Sequence, residues 1–354
     1  MRRALVLGSF ALAACEAERA APQPVAASAS PAEVARVTAA PESPPALPEP
    51  AASEPPRASS TAVVAIAVPR FVGSARTADE ILERIGNARP VAFRPVGRTS
   101  IVFEMRLAGG DSHAAFKPVS RRHPAGYRAE IAAYRVARAL GMDQVPPAVW
   151  RRLPGALLLE RLDPEAAERW PQIEAELVFE RDGSLRGAAI HWVSGMRPYA
   201  LSAADWRRLR HDAPLDPGTQ TRDADLSQMI GFDYLIGNWD RFSGGNVSST
   251  AAGDRLYIRD HNLAFAHPLG TRLHERVLEP LRRVERFSRR WIDAVRRLDE
   301  RRLRAELERD PGWAVDPCLD DARIAALLER RDTLLSWVGS LVEAHGAEAT
   351  LAFP

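Results

Sequence analysis

Lys117 is the only lysine among the 48 lysine and arginine residues of the chain. A lysine ammonium is a compact point charge on a thin flexible stem, whereas a guanidinium binds as a planar fork. A lysine therefore suits phosphate oxygens in a narrow site. Lys117 follows the apolar run Ala114-Ala115-Phe116, and this position predicts a strand that ends in a phosphate-binding lysine. The alternative is a solvated surface cation that reflects only codon bias.

A turn upstream of this strand supplies further candidates for phosphate binding. Gly97, Arg98, Thr99 and Ser100 offer backbone N–H groups, two hydroxyls and a guanidinium, all of which can hold phosphate. Most turns of this composition are only turns, so this one alone is a weak indication.

An acidic residue stands on the apolar face of the next predicted element. Residues 126–140 predict a helix that ends at Gly141. Glu130 falls in the middle of its apolar arc, where a carboxylate is costly unless it meets a cation or a metal. We predict that Lys117 is its partner; the alternative is a partly solvated Glu in the first turn, favoured by the helix dipole.

Oxygen ligands follow in the second half of the chain. A hairpin centred on Gly253 would place Asn246 opposite Asp260, and period-2 alternation would point Asp260 inward. An amide oxygen and a carboxylate brought together suit Mg²⁺ or Mn²⁺. Asp240, in the preceding loop, could accept a proton from an attacking hydroxyl.

These candidates together are the parts that phosphoryl transfer requires: a lysine on the phosphates, a glutamate that orients it, metal ligands and a carboxylate base. The alternative is that Asn238-Trp239-Asp240-Arg241 is only a helix-capping loop with a surface Asp–Arg pair.

The elements that would position these residues can be predicted from the alternation of apolar runs and turns along the chain. After a helix near 78–85, apolar runs separated by turns predict strands that form an antiparallel sheet, at 91–94, 101–107, 114–117, 145–150, 156–160 and 187–193. Downstream, helical spacing predominates up to a final amphipathic helix at 321–345. The chain is therefore expected to be α+β.

Composition excludes several classes of protein. The chain has 354 residues, of which 46% are hydrophobic and 27% charged, with a formal net charge of +2. This near-neutral balance predicts no nucleic-acid partner. Two cysteines and the absence of HExxH spacing exclude a cysteine-based zinc site and a typical zinc hydrolase.

The N-terminus predicts export. A basic start, a short apolar run and Leu12-Ala13-Ala14-Cys15 resemble a bacterial lipoprotein signal, with cleavage before Cys15 and lipid on its thiol. We predict a signal peptide at 1–14, a disordered Pro- and Ala-rich tether at 15–68, and a folded unit with lobes at 69–195 and 196–354. The protein would then be lipid-anchored to a membrane in the cell envelope. The alternative is a plain signal peptide.

The order of the motifs resembles a known group of enzymes. The atypical kinases of the secretory pathway, which include the Golgi casein kinase and four-jointed, are similar over roughly residues 90–270, with HipA-like and phosphoinositide kinases more distant. The matching segments are Phe116-Lys117-Pro118, 129–134 with Leu140-Gly141, Val145-Pro146-Pro147, and 233–241.

The resemblance implies a bilobal protein-kinase-like fold, with an antiparallel-sheet N-lobe, a mainly helical C-lobe and ATP between them. It implies Lys117 as the nucleotide lysine and Glu130 as its partner and a possible metal ligand. It also implies Asp240 as the catalytic base and Asp260 as the metal-binding aspartate. Phe242 after Asp-Arg, and Asn246 six residues after Asp240, depart from the usual pattern, as does Asp260-His261-Asn262 in place of Asp-Phe-Gly.

The sequence therefore predicts a kinase-like phosphotransferase that uses ATP with Mg²⁺ or Mn²⁺ to modify a hydroxyl of a protein, a sugar or another small molecule. A catalytically weak, kinase-shaped scaffold lipoprotein is the alternative, and AMP transfer on the same fold is a third hypothesis. A segment at 282–309 holds 11 arginines against six acidic residues and carries an apolar stripe at helical spacing. Its arginine face is either solvated or a docking surface for an anionic partner.

Overall fold

The computed structural model describes residues 70–97, 100–110, 112–243 and 245–354. These residues all lie in one compact unit, Val63–Pro354. The predicted signal peptide and tether lie outside the described residues, as do Arg98 and Thr99 of the predicted phosphate-binding turn.

The first lobe is built on a five-stranded antiparallel sheet with the strand order β1-β2-β3-β5-β4. Its strands are β1 (Pro90–Pro95), β2 (Phe103–Leu107), β3 (Ser112–Pro118), β4 (Ala148–Pro154) and β5 (Ser184–His191). The helices of this lobe are α1 (Ala78–Asn87), α2 (Gly126–Ala139), α3 (Gly155–Glu160) and α4 (Trp170–Glu176), with a 3-10 turn at Pro164–Arg169.

The second lobe is mainly helical. It contains a small antiparallel sheet in the order β6-β7-β8, formed by β6 (Arg197–Pro198), β7 (Val247–Ser249) and β8 (Leu256–Ile258). Its helices are α5 (Ala203–Arg208), α6 (Gln220–Ile236), α7 (Thr271–Arg282), α8 (Arg289–Arg297), α9 (Glu300–Leu307), α10 (Asp321–His345) and α11 (Ala347–Thr350).

Local sequence explains where several of these elements begin and end. Thr77 and Glu80 form a capping box at the start of α1, and the Asp320 side chain caps α10. Gly237, with φ of +65°, ends α6 in the left-handed conformation that favours glycine. The strong cap before Asp321 explains why the boundaries of α10 match those expected from the sequence.

Helix α2 is held on two sides, because it packs against β3, β4 and β5 of the first lobe and against α9 of the second. Its residues Ile131, Ala133 and Val136 belong to the apolar core that continues into α6 and α10. A separate apolar cluster lies between the sheet and α1. The helix that carries Glu130 is therefore fixed by the core of both lobes rather than by an N-cap side chain.

One predicted strand is wrong. Residues 156–160 are helical and make up all of α3 after Gly155, with Leu158 fully buried and Leu159 47% exposed. A run of three leucines is too short to reveal a helical or a strand period, so its apolar character alone was misleading. Among the described residues, no helix has the length and apolar content required to span a membrane.

Candidate active site

Lys117 lies on β3, in the middle of the five-stranded sheet, opposite Ala188 of β5. Its Nζ atom is 2.5 Å from Glu130 Oε1 and 3.3 Å from Asp260 Oδ1. The lysine side chain is only 9% exposed. The structure therefore forms the expected pair with Glu130, excludes a solvated surface lysine, and adds the carboxylate of the second lobe as a third member.

The charges of this triad stabilise one another. Burial would lower the pKa of Lys117, but the carboxylates of Glu130 and Asp260 outweigh it and raise the pKa above its usual range. Burial would raise the pKa of Glu130, but Lys117 and His261 outweigh it and hold this pKa well below its usual value. Lys117 and Glu130 are therefore both charged at neutral pH.

His261 is a member of the site that sequence reasoning missed. Its backbone N–H donates to Glu130 Oε1 at 3.2 Å, and its Nδ1 atom lies 3.2 Å from Glu130 Oε2. The imidazole is buried and meets the ring of Phe232 edge-on. The sequence feature that could have identified it is its position directly after Asp260, where the resemblance expects phenylalanine. Histidine keeps the aromatic ring at this position and places a polar edge toward Glu130.

The hairpin register differs from the predicted one by one residue. Val247 pairs with Ile258 and Ser249 with Leu256, so Asn246 is not opposite Asp260. The turn closes through Thr250, whose N–H donates to Arg255 O and whose carbonyl accepts from Gly253 N–H. This turn holds an even number of residues, and its centre therefore precedes Gly253.

Asp260 also lies beyond the end of β8, so strand alternation does not set its direction. Its φ of +63° turns the chain away from the strand, and its side chain is 34% exposed rather than buried in the core. One of its oxygens contacts Lys117. Asp260 thus reaches Lys117, rather than the predicted partner Asn246, and its carboxylate stays partly exposed.

Asp240 and Asn246 are held together by a buried arginine. The Asn246 amide donates to the backbone carbonyl of Asp240 at 3.0 Å, and its nitrogen lies 3.4 Å from Asp240 Oδ2. Arg241, 1% exposed, binds both carboxylate oxygens of Asp233 and donates to the carbonyls of Asn246 and Arg259. Arg241 therefore pairs with Asp233 of α6 rather than with Asp240, and it is buried, which contradicts the alternative of a surface Asp–Arg pair.

A cavity of about 350 Å³ adjoins the triad. Lys117, Glu130, Asp260 and His261 line it together with Gly97 and Ser100, whereas Asp240 and Asn246 are not among its lining residues. A Cβ atom on Gly97 would come within 1.9 Å of Ser100 O, so the close approach of these two residues requires glycine at position 97. An apolar part of the wall is formed by Val96, Val102, Ala115, Ile190, Val193 and Met196. Its volume lies in the range of small-molecule sites.

The available oxygens fit a divalent cation only in part. Asp260 has an accessible carboxylate, but Glu130 already uses both oxygens on Lys117 and His261. In the described ranges, no three or more His, Cys, Asp or Glu side chains are grouped so that they could hold a metal ion. Mg²⁺ commonly takes one or two carboxylates and completes its shell with phosphates and water. Asp260 fits that mode, and Glu130 fits a role on Lys117 better than a role as a ligand.

Comparison with known proteins gives a consistent result for the fold. No protein-family model and no curated protein matches the sequence. Among solved structures, the Golgi casein kinase is 19% identical with a TM-score of 0.59, covering 79% of this chain and 80% of its own. The structure of the same kinase with Mn/ADP bound is 19% identical with a TM-score of 0.59, and the match covers 78% of each chain. The structure of hydra Fam20 with sugar is 18% identical with a TM-score of 0.58, and the match covers 80% of this chain and 95% of the hydra chain.

These similarities confirm the expected fold class: the chain has the bilobal fold of the atypical secretory-pathway kinases, with an antiparallel-sheet N-lobe and a helical C-lobe. At this level of identity the likeness concerns the fold. The roles assigned to Lys117, Glu130, Asp240, Asn246 and Asp260 therefore remain predictions, as do those of Gly97 and Ser100.

Proposed function

We propose that the protein is a phosphotransferase that moves the γ-phosphate of ATP to a hydroxyl group, with Mg²⁺ or Mn²⁺. The observation that carries the proposal is the triad at the cavity. Lys117 from the sheet, Glu130 from α2 and Asp260 from the second lobe meet within hydrogen-bonding distance, although they are far apart in sequence. A buried lysine with two carboxylates beside a cavity is the arrangement that phosphate binding and cation binding require.

The cavity suits the two ends of a nucleotide. Ala115 and Ile190 belong to its apolar wall, where a flat base could bind, and Gly97 and Ser100 line the same cavity as Lys117 and Asp260. The backbone N–H groups of Gly97 and Ser100 would bind phosphate oxygens, to which Arg98 and Thr99 are predicted to add. Lys117 would bind those oxygens while Glu130 fixes the position of its ammonium.

Asp260 would hold the cation. The structure of the Golgi casein kinase with Mn/ADP bound supports the choice of a divalent cation and a nucleotide as the bound groups. Such a cation, when bound, offsets the negative charge of the phosphates. Asp240 would accept the proton of the acceptor hydroxyl while the hydroxyl oxygen bonds to the γ-phosphorus. The bond between the γ-phosphorus and the bridging oxygen breaks, and ADP leaves.

We further propose that this enzyme acts outside the cytoplasm as a lipid-anchored protein of the cell envelope. The support is the lipobox-like segment that ends at Cys15 and the long Pro- and Ala-rich stretch that follows it. Acceptors would then be hydroxyl-bearing proteins, sugars or small molecules of that compartment.

A kinase-shaped binding or scaffold protein is the second candidate, and one observation favours it. Asp240 and Asn246 do not line the cavity that Lys117 and Asp260 share. If that separation persisted with nucleotide bound, the protein could hold ATP without transferring phosphate.

A thermal-shift titration with ATP and Mn²⁺ or Mg²⁺ tests nucleotide binding. We expect a metal-dependent rise in Tm for the wild type that is lost in Asp260→Ala and kept in Asp182→Ala, an exposed control. ATP labelled at the γ or the α phosphorus then separates phosphate transfer from AMP transfer. Shift without transfer, or no metal-dependent shift at all, would favour the scaffold and contradict the phosphotransferase. An Asp240→Asn variant as fast as the wild type would exclude that base.

A further inference from the structure

Helix α8 separates its residues into two distinct faces. Trp291, Ile292, Ala294 and Val295 are buried in the core of the second lobe. At 100° per residue, the remaining positions share an arc of about 120° on the opposite side. That arc holds four exposed arginines and one partly exposed acid, namely Arg289, Arg290, Arg296, Arg297 and Asp293.

The positive charge of this arginine face is only partly compensated. Arg289 is paired with Glu348 at 2.9 Å, and Arg296 with Asp293 at 2.7 Å. Both pairs are exposed, Glu348 at 95%, and such surface pairs exchange readily with other partners. Within the described part of the chain, Arg290 and Arg297 make no ion pair, so the face keeps a net positive charge.

The apolar stripe at 284–298 is buried, as expected for a part of the core. Val284 and Phe287 are buried but lie between the end of α7 and the start of α8, so the stripe is not one continuous helix. Their burial anchors α8 at its N-terminal end. The orientation of the arginine face is therefore fixed by the core and does not depend on the arginines themselves.

We propose that the arginine face of α8 is a docking surface for anionic phospholipid headgroups. The four arginines extend along about 12 Å of helix, which is longer than one phosphate and suits several neighbouring headgroups in a plane. Guanidinium groups bind phosphate in a bidentate manner, and their aliphatic stems can lie along a membrane surface while the charge reaches the headgroups.

The predicted attachment of the chain explains why a membrane is the partner. If lipid on Cys15 holds the protein to a bilayer, the tether predicted at 15–68 would keep the folded unit close to the membrane surface. Every face of the protein then samples the surface at high effective concentration, and weak charge attraction decides which face stays there. This inference does not depend on phosphate transfer.

Co-sedimentation with lipid vesicles tests the surface directly. The full chain with Cys15→Ser, which cannot be lipidated, is mixed with phosphatidylcholine vesicles that contain either no or 30% phosphatidylglycerol. We expect binding only to the anionic vesicles, and a loss of at least tenfold between 0.05 and 0.5 M salt, because exposed charges are screened.

The test variant reverses the arginine face, with R289E, R290E, R296E and R297E in one chain. A control reverses four exposed arginines of the first lobe, R89E, R106E, R152E and R181E, and therefore changes the net charge equally. We expect the α8 variant to lose at least tenfold in vesicle affinity and the control to lose less than threefold. The same four arginines changed to Gln should give an intermediate affinity, with a Tm that confirms folding.

Three results would overturn the proposal. The first is binding of the wild type to neutral and anionic vesicles alike. The second is an equal loss of affinity in the control and α8 variants, which would indicate an effect of net charge alone. In the third case, the α8 variant would bind vesicles normally but lose binding to polyglutamate, and the surface would be a site for an acidic protein.

Discussion

Two buried carboxylate clusters hold helix α2, and they differ in what they leave free. In the cleft cluster, Glu130 and Asp260 contact Lys117, and Asp260 is 34% exposed toward the cavity. In the brace cluster, Asp316 is 3% exposed and accepts hydrogen bonds from Tyr127, Arg128 and Trp150, with Arg186 3.8 Å away. Both clusters are charged and buried, but only one of them adjoins the proposed nucleotide site.

The comparison shows that a perturbed pKa does not by itself identify a functional residue. Burial would raise the pKa of Asp316, but the hydrogen bonds from Tyr127 and Arg128 outweigh it and lower this pKa. The pKa of Glu130 is also lowered, by Lys117 and His261. The cleft cluster differs because one of its carboxylates, that of Asp260, lies at a cavity and can still accept further ligands. The Asp316 carboxylate has all its hydrogen bonds filled by protein donors, and these bonds hold residues 310–318 to α2 and β4.

The same substitution in each cluster gives the sharpest test, and Asp260→Asn has the largest expected effect. It removes the charge that would hold the cation, while Lys117 keeps Glu130 as a partner. We expect phosphate transfer to fall about a thousandfold, equivalent to about 4 kcal/mol. Stability should change by less than about 1 kcal/mol, because asparagine tolerates the left-handed backbone at this position. Initial rates and urea denaturation measure the two quantities.

Asp316→Asn should show the opposite pattern. Loss of this buried charge leaves Arg128 and Tyr127 with a weaker acceptor, so we expect the free energy of unfolding to fall by about 3 kcal/mol. The rate per folded molecule should stay within about twofold. The matched control is Asp182→Asn, in an exposed pair with Arg152, which should leave the free energy of unfolding nearly unchanged. If Asp260→Asn proved the more destabilising of the two, the division between the clusters would be wrong.

Acid titration separates the clusters less strongly. Since the pKa of Glu130 is lowered by folding, its contribution is complete above the unfolded value of about 4.3 and is lost as the pH falls below it. Glu130→Gln should therefore flatten the acid limb of stability by up to about 1.4 kcal/mol per pH unit. Urea denaturation from pH 7 down to pH 3 measures this slope. Parallel curves for the variant and the wild type would contradict the charged assignment of Glu130.

Local patterns were enough to predict much of this fold. The lone Lys117 after an apolar run and Glu130 on an apolar helical arc predicted a pair that the structure contains at 2.5 Å. Turn and strand patterns predicted an antiparallel sheet, and amphipathic spacing predicted the helix at 321–345 that α10 forms. These features depend on residues close in sequence or on one strong electrostatic requirement, and such signals survive in a single sequence.

The misses arise where tertiary contacts decide. The register of the β7–β8 hairpin depends on how its turn closes, and a shift of one residue moved Asn246 away from Asp260. The direction of Asp260 depends on a left-handed backbone that no period-2 pattern predicts. The contact between the His261 imidazole and Glu130 joins residues 131 positions apart, and no local spacing in the sequence indicates it.

His261→Phe has the smallest expected effect and sharpens the account of the cleft cluster. It removes the Nδ1 contact with Glu130 Oε2, keeps the backbone N–H bond, and preserves a ring against Phe232. Glu130 would then fix Lys117 less firmly, so we expect KM for ATP to rise about fivefold, or about 1 kcal/mol, with kcat changed less. His261→Asn, which can restore a polar atom near the position of Nδ1, should recover most of the loss. Equal KM values for the Phe and Asn variants would show that the imidazole acts only by its volume.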